Sequence, residues 1–484
     1  MPATDGQPAY DVAVIGAGVV GAAIARELSA YELRIVVLEA GSDVGIGTSK
    51  ANTAIRHTGF DAKPGSLESA LLRRSYPLLT QYAERTGIPL ETPGALLVAW
   101  SPEQLTSLEA LERRAKENGV QDVRPVRAGE LYEKEPNLGP GALGGLAVPG
   151  EGIVCPFTTP LAFATEAVTN GVRIELDAAV ASIERAAEGA YAVSTSHGPF
   201  QARWIVNAAG LFSDSVDRMM GHDRFTVRPR RGQLIVFDKL ARQLLSSILL
   251  PVPTPVSKGV LVAPTVFGNV LLGPTAEDLD DRRGTQTTKE GLADLLAKGR
   301  HILPALVEEE ITATYAGLRA ATEHADYQID CDAARRYVCV GGIRSTGLSA
   351  AMGIAAYVVD LLEDAGLHLR RAATHDEVRM PPVGESQLRR FRDEEAIASR
   401  REYGEIVCFC ERVTRGELLD ALGGSLPARS HDGLRRRTRA GLGRCQGFYC
   451  SAALTSLLHD HLEPPDGVDR HDGGLAASRL GPSR

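Results

Sequence analysis

The chain has 484 residues, 50 of them glycine, and a formal net charge of −8, so it predicts roughly two to four globular units rather than one small core. Its 44% hydrophobic and 24% charged residues are typical of globular proteins. The acidic balance gives no electrostatic support for nucleic-acid binding, so we expect no nucleic-acid partner. No apolar run reaches the ~18 residues of a membrane span, and the N-terminal segment lacks the pattern of a secretory signal. We therefore expect a cytoplasmic protein.

The N-terminal segment predicts a nucleotide-binding unit. Three elements are expected in the order strand, helix and strand: residues 10–15, 19–30 and 34–39. A Gly-x-Gly-x-x-Gly motif follows the first strand, where Gly16 permits a tight turn, Gly18 lets the backbone approach a pyrophosphate, and Gly21 lets the helix pack on the strand. Glu39 ends the second strand, 18 residues after Gly21, at the place where a carboxylate would bind ribose hydroxyls.

Helices and strands continue to alternate after this unit. An amphipathic helix is predicted at residues 66–85, ending at Gly87. Strands are expected at residues 95–100, 173–183, 201–207, 231–237 and 270–273. A last strand at residues 336–342 leads through a glycine-rich turn into a helix that reaches about residue 363. This succession indicates an α/β (α+β) fold class.

The composition changes after His375. Residues 375–403 are charged, contain Pro381 and Pro382, and show little apolar periodicity, so we predict a linker. A compact cysteine-bearing domain is expected at residues 404–463, followed by a flexible tail at residues 464–484.

Four of the seven cysteines form two close pairs separated by 34 residues: Cys408 with Cys410, and Cys445 with Cys450. Four thiolates in this arrangement can hold a tetrahedral zinc ion or an iron–sulfur cluster. The single residue between Cys408 and Cys410 is tight for one zinc ion, which favours the cluster; zinc and an unmetallated group remain as alternatives. The other three cysteines are expected to be small buried hydrophobic residues: Cys155, Cys331 and Cys339.

Several segments together resemble the D-amino-acid-oxidase superfamily of flavoenzymes, and within it the glycerol-3-phosphate dehydrogenase and L-2-hydroxyglutarate dehydrogenase branches. The segments that carry the resemblance, beside the glycine motif, are residues 48–52, 57–67, 231–233, 273–276, 317–319 and 340–349. The resemblance implies an FAD cofactor and a Rossmann-type FAD-binding domain interleaved with an antiparallel-sheet substrate domain. Within an oxidoreductase unit at residues 1–374, the FAD-binding segments would be about 8–60, 165–215 and 335–370, and the substrate segments about 61–164 and 216–334.

The same resemblance implies which residues contact FAD. The late glycine-rich turn would cradle the flavin through Gly342, Thr346, Gly347, Leu348 and Ser349. The remaining matched positions are Thr48 and Ser49 near the pyrophosphate and flavin, Val180 at the adenine, and Ala209 and Gly210 at the end of a further strand.

The C-terminal segment at residues 435–447 resembles the [2Fe–2S] domain related to bacterioferritin-associated ferredoxin. This implies a small helical domain with a [2Fe–2S] cluster on Cys408, Cys410, Cys445 and Cys450. We interpret the basic run at residues 435–439 as electrostatic support for an anionic cluster, with a solvated face or a docking patch for an acidic partner as alternatives.

Two-electron oxidation of an alcohol requires a hydride acceptor, a base for the hydroxyl proton and cations for an anionic substrate. His57 is the predicted base, because an imidazole titrates near neutral pH and because His57 lies in a segment that resembles the family's His-x-Gly; the alternative is a histidine that only bonds to backbone beside the flavin. Arg319 and Arg344 are the predicted anion clamps, since arginine presents a planar fork to carboxylate or phosphate. Further candidates are Lys63, Arg230, Arg231 and, to close the pocket, Tyr315.

These observations predict an FAD-dependent dehydrogenase that oxidises a small anionic secondary alcohol resembling glycerol 3-phosphate and passes electrons through the [2Fe–2S] cluster to a quinone or a protein acceptor. The alternatives are a dehydrogenase for L-2-hydroxyglutarate or another 2-hydroxy acid, an amine or amino-acid dehydrogenase, and a non-enzymatic electron-transfer module. A partner subunit or peripheral attachment to the inner face of the membrane stays open.

Overall fold

The structure, a computed structural model, describes residues 9–186, 189–253 and 259–462. Its strands, in chain order, are β1 (Tyr10–Ile15), β2 (Ile35–Leu38), β3 (Ile55–Arg56), β4 (Leu90–Glu91), β5 (Ala95–Ala99), β6 (Arg124–Arg127), β7 (Gly144–Val148), β8 (Gly152–Val154), β9 (Arg173–Glu175), β10 (Val180–Arg185), β11 (Tyr191–Thr195), β12 (Gly198–Asn207), β13 (Arg228–Phe237), β14 (Ile248–Pro251), β15 (Leu261–Pro264), β16 (Val270–Gly273), β17 (Glu277–Asp278), β18 (Ile311–Ala321), β19 (Gln328–Asp332), β20 (Tyr337–Gly341), β21 (Ile406–Cys408) and β22 (Val413–Thr414). Its α-helices are α1 (Val19–Leu28), α2 (Leu67–Thr86), α3 (Pro102–Glu117), α4 (Ala128–Lys134), α5 (Thr158–Thr169), α6 (Ser213–Met219), α7 (Lys289–Ile302), α8 (Gly347–Asp364), α9 (Glu394–Ser399), α10 (Arg415–Gly423), α11 (His431–Thr438) and α12 (Ser451–Leu462). The predicted tail at residues 464–484 lies outside the described residues. Within the described ranges, no helix combines the length and the apolar character that crossing a membrane requires.

The first sheet has eight strands and carries the glycine motif. Its central strands are parallel: β1 pairs with β2 and β12, β12 with β20, and β2 with β9. The strands β10, β11 and β19 extend it in antiparallel pairs. Helix α1 packs against α5 and α8 over an apolar core. Since parallel strands end at the same edge of a sheet, the loops after β1, β12 and β20 meet there.

The second sheet has nine strands. Among its described strands, every pair is antiparallel except β14 with β5. The longest pairing joins β13 to β18, from Arg228 opposite Ala321 to Phe237 opposite Ile311. The predicted combination of a Rossmann-type sheet with an interleaved antiparallel sheet is therefore confirmed.

Helix α2 shows how local sequence fixes an element. The Ser66 side chain accepts a hydrogen bond from the Ser69 amide at the start of the helix, and Gly87 ends it in the left-handed conformation, which glycine adopts without steric cost. The helix packs along α8. The predicted helix at residues 66–85 therefore lies within one residue of the observed one at both ends.

The C-terminal domain is small and mostly helical. A two-stranded hairpin of β21 and β22 precedes α10, α11 and α12, and its core includes Val413, Leu418, Leu434 and Leu454. The segment predicted as a linker, residues 375–403, is partly ordered. It contains α9 and two short 3₁₀ turns and buries Met380 and Val383 in the core of the larger unit.

Candidate functional site

A cavity of about 560 Å³ lies between the two large sheets, at the edge where β1, β12 and β20 end. Gly18, Gly210 and Leu348 line one wall, and Gly232 of β13 with Arg319 of β18 line the other. Because ligands of open α/β sheets bind beyond the carboxyl ends of the strands, this cavity is the candidate active site.

The glycine motif leaves room for a phosphate-bearing group at the start of α1. A Cβ on Gly21 would lie 1.9 Å from the Gly16 carbonyl oxygen, and one on Gly16 would lie 2.6 Å from the Ala208 carbonyl oxygen. A Cβ on Gly18 would meet only Ser49 Oγ within 4 Å, at 3.4 Å, and would take up space in the cavity that Gly18 lines. Gly16 and Gly21 therefore serve the close packing of strand and helix, while Gly18 keeps open a cradle that fits the pyrophosphate of FAD.

Glu39 and Ser49, which are predicted to lie around this cradle, both hold the turn between β1 and α1 through hydrogen bonds. Glu39 accepts hydrogen bonds from the Ala17 amide at 2.6 Å and the Gly41 amide at 2.8 Å. Burial raises the pKa of Glu39, and the two amides only partly offset this. Ser49 Oγ accepts from the Val19 amide at 2.8 Å. These contacts fix the Glu39 carboxylate at the end of β2, where it can bind ribose hydroxyls.

Thr48, from the earlier matched segment, lines the cavity and donates to the Leu318 carbonyl oxygen at 2.7 Å.

The late glycine-rich turn contributes cavity-lining residues and residues that support them. Two of the five residues predicted to cradle the flavin line the cavity: Gly347 and Leu348. The other three are not among the described residues that line it: Gly342, Thr346 and Ser349. Thr346 Oγ1 donates to Glu68 at 2.6 Å, and Ser349 Oγ accepts from the His57 amide at 2.9 Å. The turn thus holds the cavity wall and the backbone of the predicted base.

Two predicted FAD contacts lie away from the cavity. Val180 starts β10, close to where the Ala178 amide donates to the Glu39 carbonyl oxygen at 2.8 Å, so it belongs to the side of the sheet on which Glu39 ends. Ala209 begins a short 3₁₀ turn, and its neighbours Ala208 and Gly210 line the cavity instead.

His57 lines the cavity and contacts a buried carboxylate. Its Nδ1 lies 3.0 Å from Glu151 Oε2. The other oxygen, Oε1, accepts from the Thr58 amide at 2.6 Å and from Thr58 Oγ1 at 2.8 Å. The Glu151 side chain is fully buried, while that of His57 is 21% exposed. A histidine held in this way can move a proton at its other nitrogen.

The two predicted anion clamps differ in their partners. Arg344 lines the cavity, but its guanidinium is paired with Glu68. Arg319 also lines the cavity, and among the described residues no carboxylate forms an ion pair with it. Burial, with a smaller contribution from the positive charge of Arg230, lowers the pKa of Arg319. A half-buried guanidinium without a protein carboxylate is suited to an anionic ligand.

The further candidates divide in the same way. Lys63 and Arg230 line the cavity, although Arg230 is engaged by Asp278 at 2.6 Å and 2.9 Å. Arg231 points elsewhere and pairs with Glu277 at 2.6 Å. Tyr315 donates to the Asn52 carbonyl oxygen at 2.6 Å and so anchors the loop that carries cavity residues, rather than closing the pocket.

The four C-terminal cysteines come together as two pairs. The thiol of Cys410 lies beside that of Cys445, and the thiol of Cys408 lies beside that of Cys450. The Tyr449 amide is the largest of several influences that lower the pKa of Cys445, whereas burial raises the pKa of Cys450 to about 11. In the part of the chain that the structure describes, no three His, Cys, Asp or Glu side chains are placed to hold a single metal ion. Two pairs of thiols fit the two irons of a [2Fe–2S] cluster, and amides directed at sulfur are a usual way of stabilising its thiolates.

Three aromatic residues stand exposed around these thiols. Phe409, between two of the cysteines, is 73% exposed, and Phe448 and Tyr449, between the other two, are 79% and 76% exposed. Cys410 and Cys445 are themselves half-buried. The four cysteine thiols therefore lie beside the surface of the small domain.

Two arginines of the basic run have a different role from the predicted support of the cluster. Arg436 and Arg437 are buried and donate to Asp43, in the loop after β2, at 2.5 to 2.8 Å. Arg439, also buried, donates to Glu411 at 2.9 Å and lies 3.9 Å from the ring centre of Phe267. The run is thus a docking surface, but for an acidic residue of the same chain.

Sequence reasoning missed three acids that organise the site: Glu151, Glu68 and Asp43. Each contacts a predicted residue from far along the chain; Glu151 lies 94 positions from His57, and Glu68 lies 276 positions from Arg344. No local pattern marks them, because each is placed by the pairing of distant strands and helices.

Two family models match the chain. The model described as FAD dependent oxidoreductase matches residues 11–361. The model described as BFD-like [2Fe-2S] binding domain matches residues 406–460. The second match favours the iron–sulfur cluster over zinc, in agreement with the paired thiols.

Similar proteins cover much of the chain. A curated relative from Caloramator mitchellensis, a glycerol 3-phosphate dehydrogenase, is 36% identical over 450 residues, which are 93% of this chain and 94% of the relative. The L-2-hydroxyglutarate dehydrogenase of Escherichia coli strain K12 is 28% identical over 292 residues, 59% of this chain and 68% of the relative. The solved structure of dithionite-reduced L-alpha-glycerophosphate oxidase from Mycoplasma pneumoniae with FAD bound has a TM-score of 0.73 at 30% identity, covering 78% of this chain and 100% of that one.

Proposed function

This chain belongs to the family of FAD-dependent oxidoreductases, and from that premise we propose that it oxidises glycerol 3-phosphate and releases electrons through its [2Fe–2S] domain. It is an FAD-dependent dehydrogenase. The observation that carries the substrate proposal is Arg319, a half-buried cation without a carboxylate partner among the described residues, in the same cavity as His57. The relative that matches 93% of the chain is a glycerol 3-phosphate dehydrogenase.

The proposed reaction converts the secondary alcohol to a ketone. The hydroxyl O–H bond and the C–H bond on the same carbon break, a C=O bond forms, and two electrons leave as a hydride. Bound FAD supplies the acceptor for that hydride. His57 takes the hydroxyl proton, because it lines the cavity and its Nδ1 is occupied by Glu151, which leaves Nε2 as the nitrogen that can accept a proton.

The substrate's phosphate is held by cations of the opposite wall. Arg319 offers a planar fork for two phosphate oxygens, in a site where low solvent exposure strengthens charged hydrogen bonds. Arg230 and Lys63 line the same cavity and add positive charge, although Asp278 balances part of that of Arg230. This asymmetry orients the substrate, with its phosphate at β13 and β18 and its carbinol carbon toward the sheet that carries the glycine motif.

The four C-terminal cysteines provide the site from which electrons leave the protein. A [2Fe–2S] cluster on Cys408, Cys410, Cys445 and Cys450 would supply one-electron transfer to an acceptor outside the chain. The half-buried Cys410 and Cys445 and the exposed aromatic residues around them support an external acceptor, either a quinone or a redox protein. Peripheral membrane attachment or a partner subunit would bring such an acceptor within reach.

The test is anaerobic reduction of the purified protein, followed by its visible spectrum. Candidate substrates are sn-glycerol 3-phosphate, its sn-1 enantiomer, L-2-hydroxyglutarate and glycine, each added separately. We expect sn-glycerol 3-phosphate to bleach the flavin at a rate that saturates with concentration, and the other three to bleach it far more slowly. Rapid bleaching by L-2-hydroxyglutarate or glycine alone would overturn the proposal and give the cavity a carboxylate substrate instead.

A further inference from the structure

We infer that Glu151 is a positioning residue for His57, which fixes the proton on Nδ1 so that Nε2 can act as the base; this rests on the proposed role of His57. The two residues lie 94 positions apart, and their 3.0 Å contact joins a cavity-lining imidazole to a fully buried carboxylate. An ionised carboxylate can only accept hydrogen bonds. Nδ1 must therefore be the protonated nitrogen, and Nε2 keeps its lone pair.

The backbone aims the carboxylate at the imidazole. Strand β3 pairs with β8, with Arg56 opposite Gly152, so the residue after Arg56 and the residue before Gly152 lie side by side. Thr58 occupies one oxygen of Glu151 with its amide and its hydroxyl, at 2.6 Å and 2.8 Å. The other oxygen is then directed at Nδ1. Two hydrogen bonds from one neighbour to one oxygen prevent the carboxylate from turning away.

A buried positive charge lies near this carboxylate. Arg56 is buried and donates to Thr80 Oγ1 at 2.5 Å and to Tyr76 OH at 2.8 Å. Burial lowers the pKa of Arg56, and the nearby negative charge of Glu151 works against that shift. Burying a carboxylate is costly unless charge and hydrogen bonds compensate for it. Arg56, Thr58 and His57 together provide that compensation, and the carboxylate can then stabilise the imidazolium that forms when His57 takes the substrate proton.

Glu151→Gln tests the inference with almost no change of shape. The amide oxygen can still accept both bonds from Thr58, but the amide nitrogen now donates to Nδ1. The proton moves to Nε2, and the imidazole can no longer accept the hydroxyl proton. We expect the rate constant of flavin reduction at saturating substrate to fall by about 100-fold or more. The substrate concentration for half-saturation and the flavin content should stay near those of the unchanged protein, because Glu151 does not line the cavity.

Three further variants separate positioning from general damage. Thr58→Val removes one bond to Glu151 and keeps the carboxylate and the packing, so its rate should fall at most a few-fold. Glu151→Asp keeps the charge on a shorter side chain and should lower the rate several-fold, by at most about tenfold, since one charged hydrogen bond is weakened. The double variant His57→Asn with Glu151→Gln should lose no more than His57→Asn alone, because Glu151 acts through His57.

The outcomes distinguish this inference from the proposed function. If no candidate substrate reduces the unchanged protein, the proposed function fails before any variant is compared. If one does, an unaltered rate in Glu151→Gln, or losses that add in the double variant, would overturn the positioning role. Should Glu151→Gln not retain flavin, Glu151→Asp decides: a rate lowered by up to about tenfold with full flavin content supports the role, and an unaltered rate rejects it.

Discussion

Arg437 donates two hydrogen bonds to Asp43, from Nη1 to Oδ2 at 2.6 Å and from Nη2 to Oδ1 at 2.8 Å, across 394 positions of the chain. Both side chains are almost fully buried. The bidentate pair ties helix α11 of the small domain to the loop that follows β2. The same loop continues to Ser49, whose hydroxyl accepts a hydrogen bond from the Val19 amide at the start of α1. The cluster-binding domain is therefore fixed against the part of the chain that forms the cofactor cradle.

Asp43→Asn should loosen this attachment. It leaves Arg436 and Arg437 buried without their shared carboxylate, and breaking a buried ion pair on one side costs about 3 kcal/mol or more. We expect a lower unfolding temperature and faster proteolysis within residues 375–403, while substrate still bleaches the flavin. Asp360→Asn is the matched control, because its pair with Arg74 is half-exposed and such pairs contribute less than about 1 kcal/mol. Equal effects of the two changes would contradict the role of Asp43.

The same pair predicts how stability depends on pH. Burial by itself would raise the pKa of Asp43, but the hydrogen bonds and charges of Arg437 and Arg436 outweigh it and hold that pKa below its ordinary value. A carboxylate with a lowered folded-state pKa stabilises the fold above its unfolded-state pKa, near 3.9, and loses that contribution as the pH falls. The difference in unfolding temperature between the unchanged protein and Asp43→Asn should therefore be constant near neutral pH and shrink below about pH 4. A difference that stays constant to pH 3 would contradict this.

The glycine motif predicts two distinguishable losses. Gly21→Ala should destabilise the protein even without FAD, since its Cβ would lie 1.9 Å from a backbone oxygen that cannot move easily. Gly18→Ala should leave the FAD-free protein as stable as before but weaken FAD binding, since the new methyl group enters the cradle. Gly129→Ala, where a Cβ meets nothing within 4 Å, is the control. Thermal unfolding of the FAD-free proteins and FAD titration separate the two effects, and equal destabilisation by both changes would contradict the assignment.

Local sequence was enough to predict much of the fold. The first strand at residues 10–15 has the same bounds as β1, because a mostly apolar run that ends at Gly16 leaves few alternatives. The nucleotide-binding turn and the cysteine site could also be predicted from the sequence, since the chemistry of the glycine motif and of each cysteine pair depends on spacing within a few residues. Helix α1 ends two residues earlier than predicted, which is the usual uncertainty of helix termini.

What could not be predicted depends on tertiary pairing. The sequence gives no reason to join His57 to Glu151, because only the pairing of β3 with β8 brings them together. Nor does it show that Arg344 is engaged by Glu68, which leaves Arg319 as the better anion clamp. The sequence favours support of a neighbouring cluster as the role of the basic run of α11, because the acidic partner of that run, Asp43, lies at the other end of the chain.

Cys445→Ser should separate the two cofactors. It removes one thiol of the Cys410–Cys445 pair, so we expect loss of bound iron and of the iron–sulfur absorbance and electron paramagnetic resonance signal. The flavin spectrum and its bleaching by substrate should remain, because none of the four thiols lines the cavity. Cys331→Ser, on β19 of the first sheet, is the control and should retain full iron content. Loss of flavin together with iron would show that the two sites are not independent.

Arg319→Met should lower activity without lowering stability. The guanidinium is held in a site that lowers its pKa by burial and by the charge of Arg230, so its replacement by an apolar side chain of similar length removes an unfavourable burial. We therefore expect an unfolding temperature equal to or above that of the unchanged protein. Activity should fall because the substrate's anionic group loses a charged hydrogen-bonding partner: kcat/KM by about 100-fold, from the ~1.5–3 kcal/mol of such bonds. Arg231→Met is the comparison variant, since that buried arginine is paired with Glu277. Its loss should lower the stability of the protein more than it lowers the affinity for substrate. A fall in the stability of Arg319→Met as large as that of Arg231→Met would mean that Arg319 holds the fold together instead of the substrate.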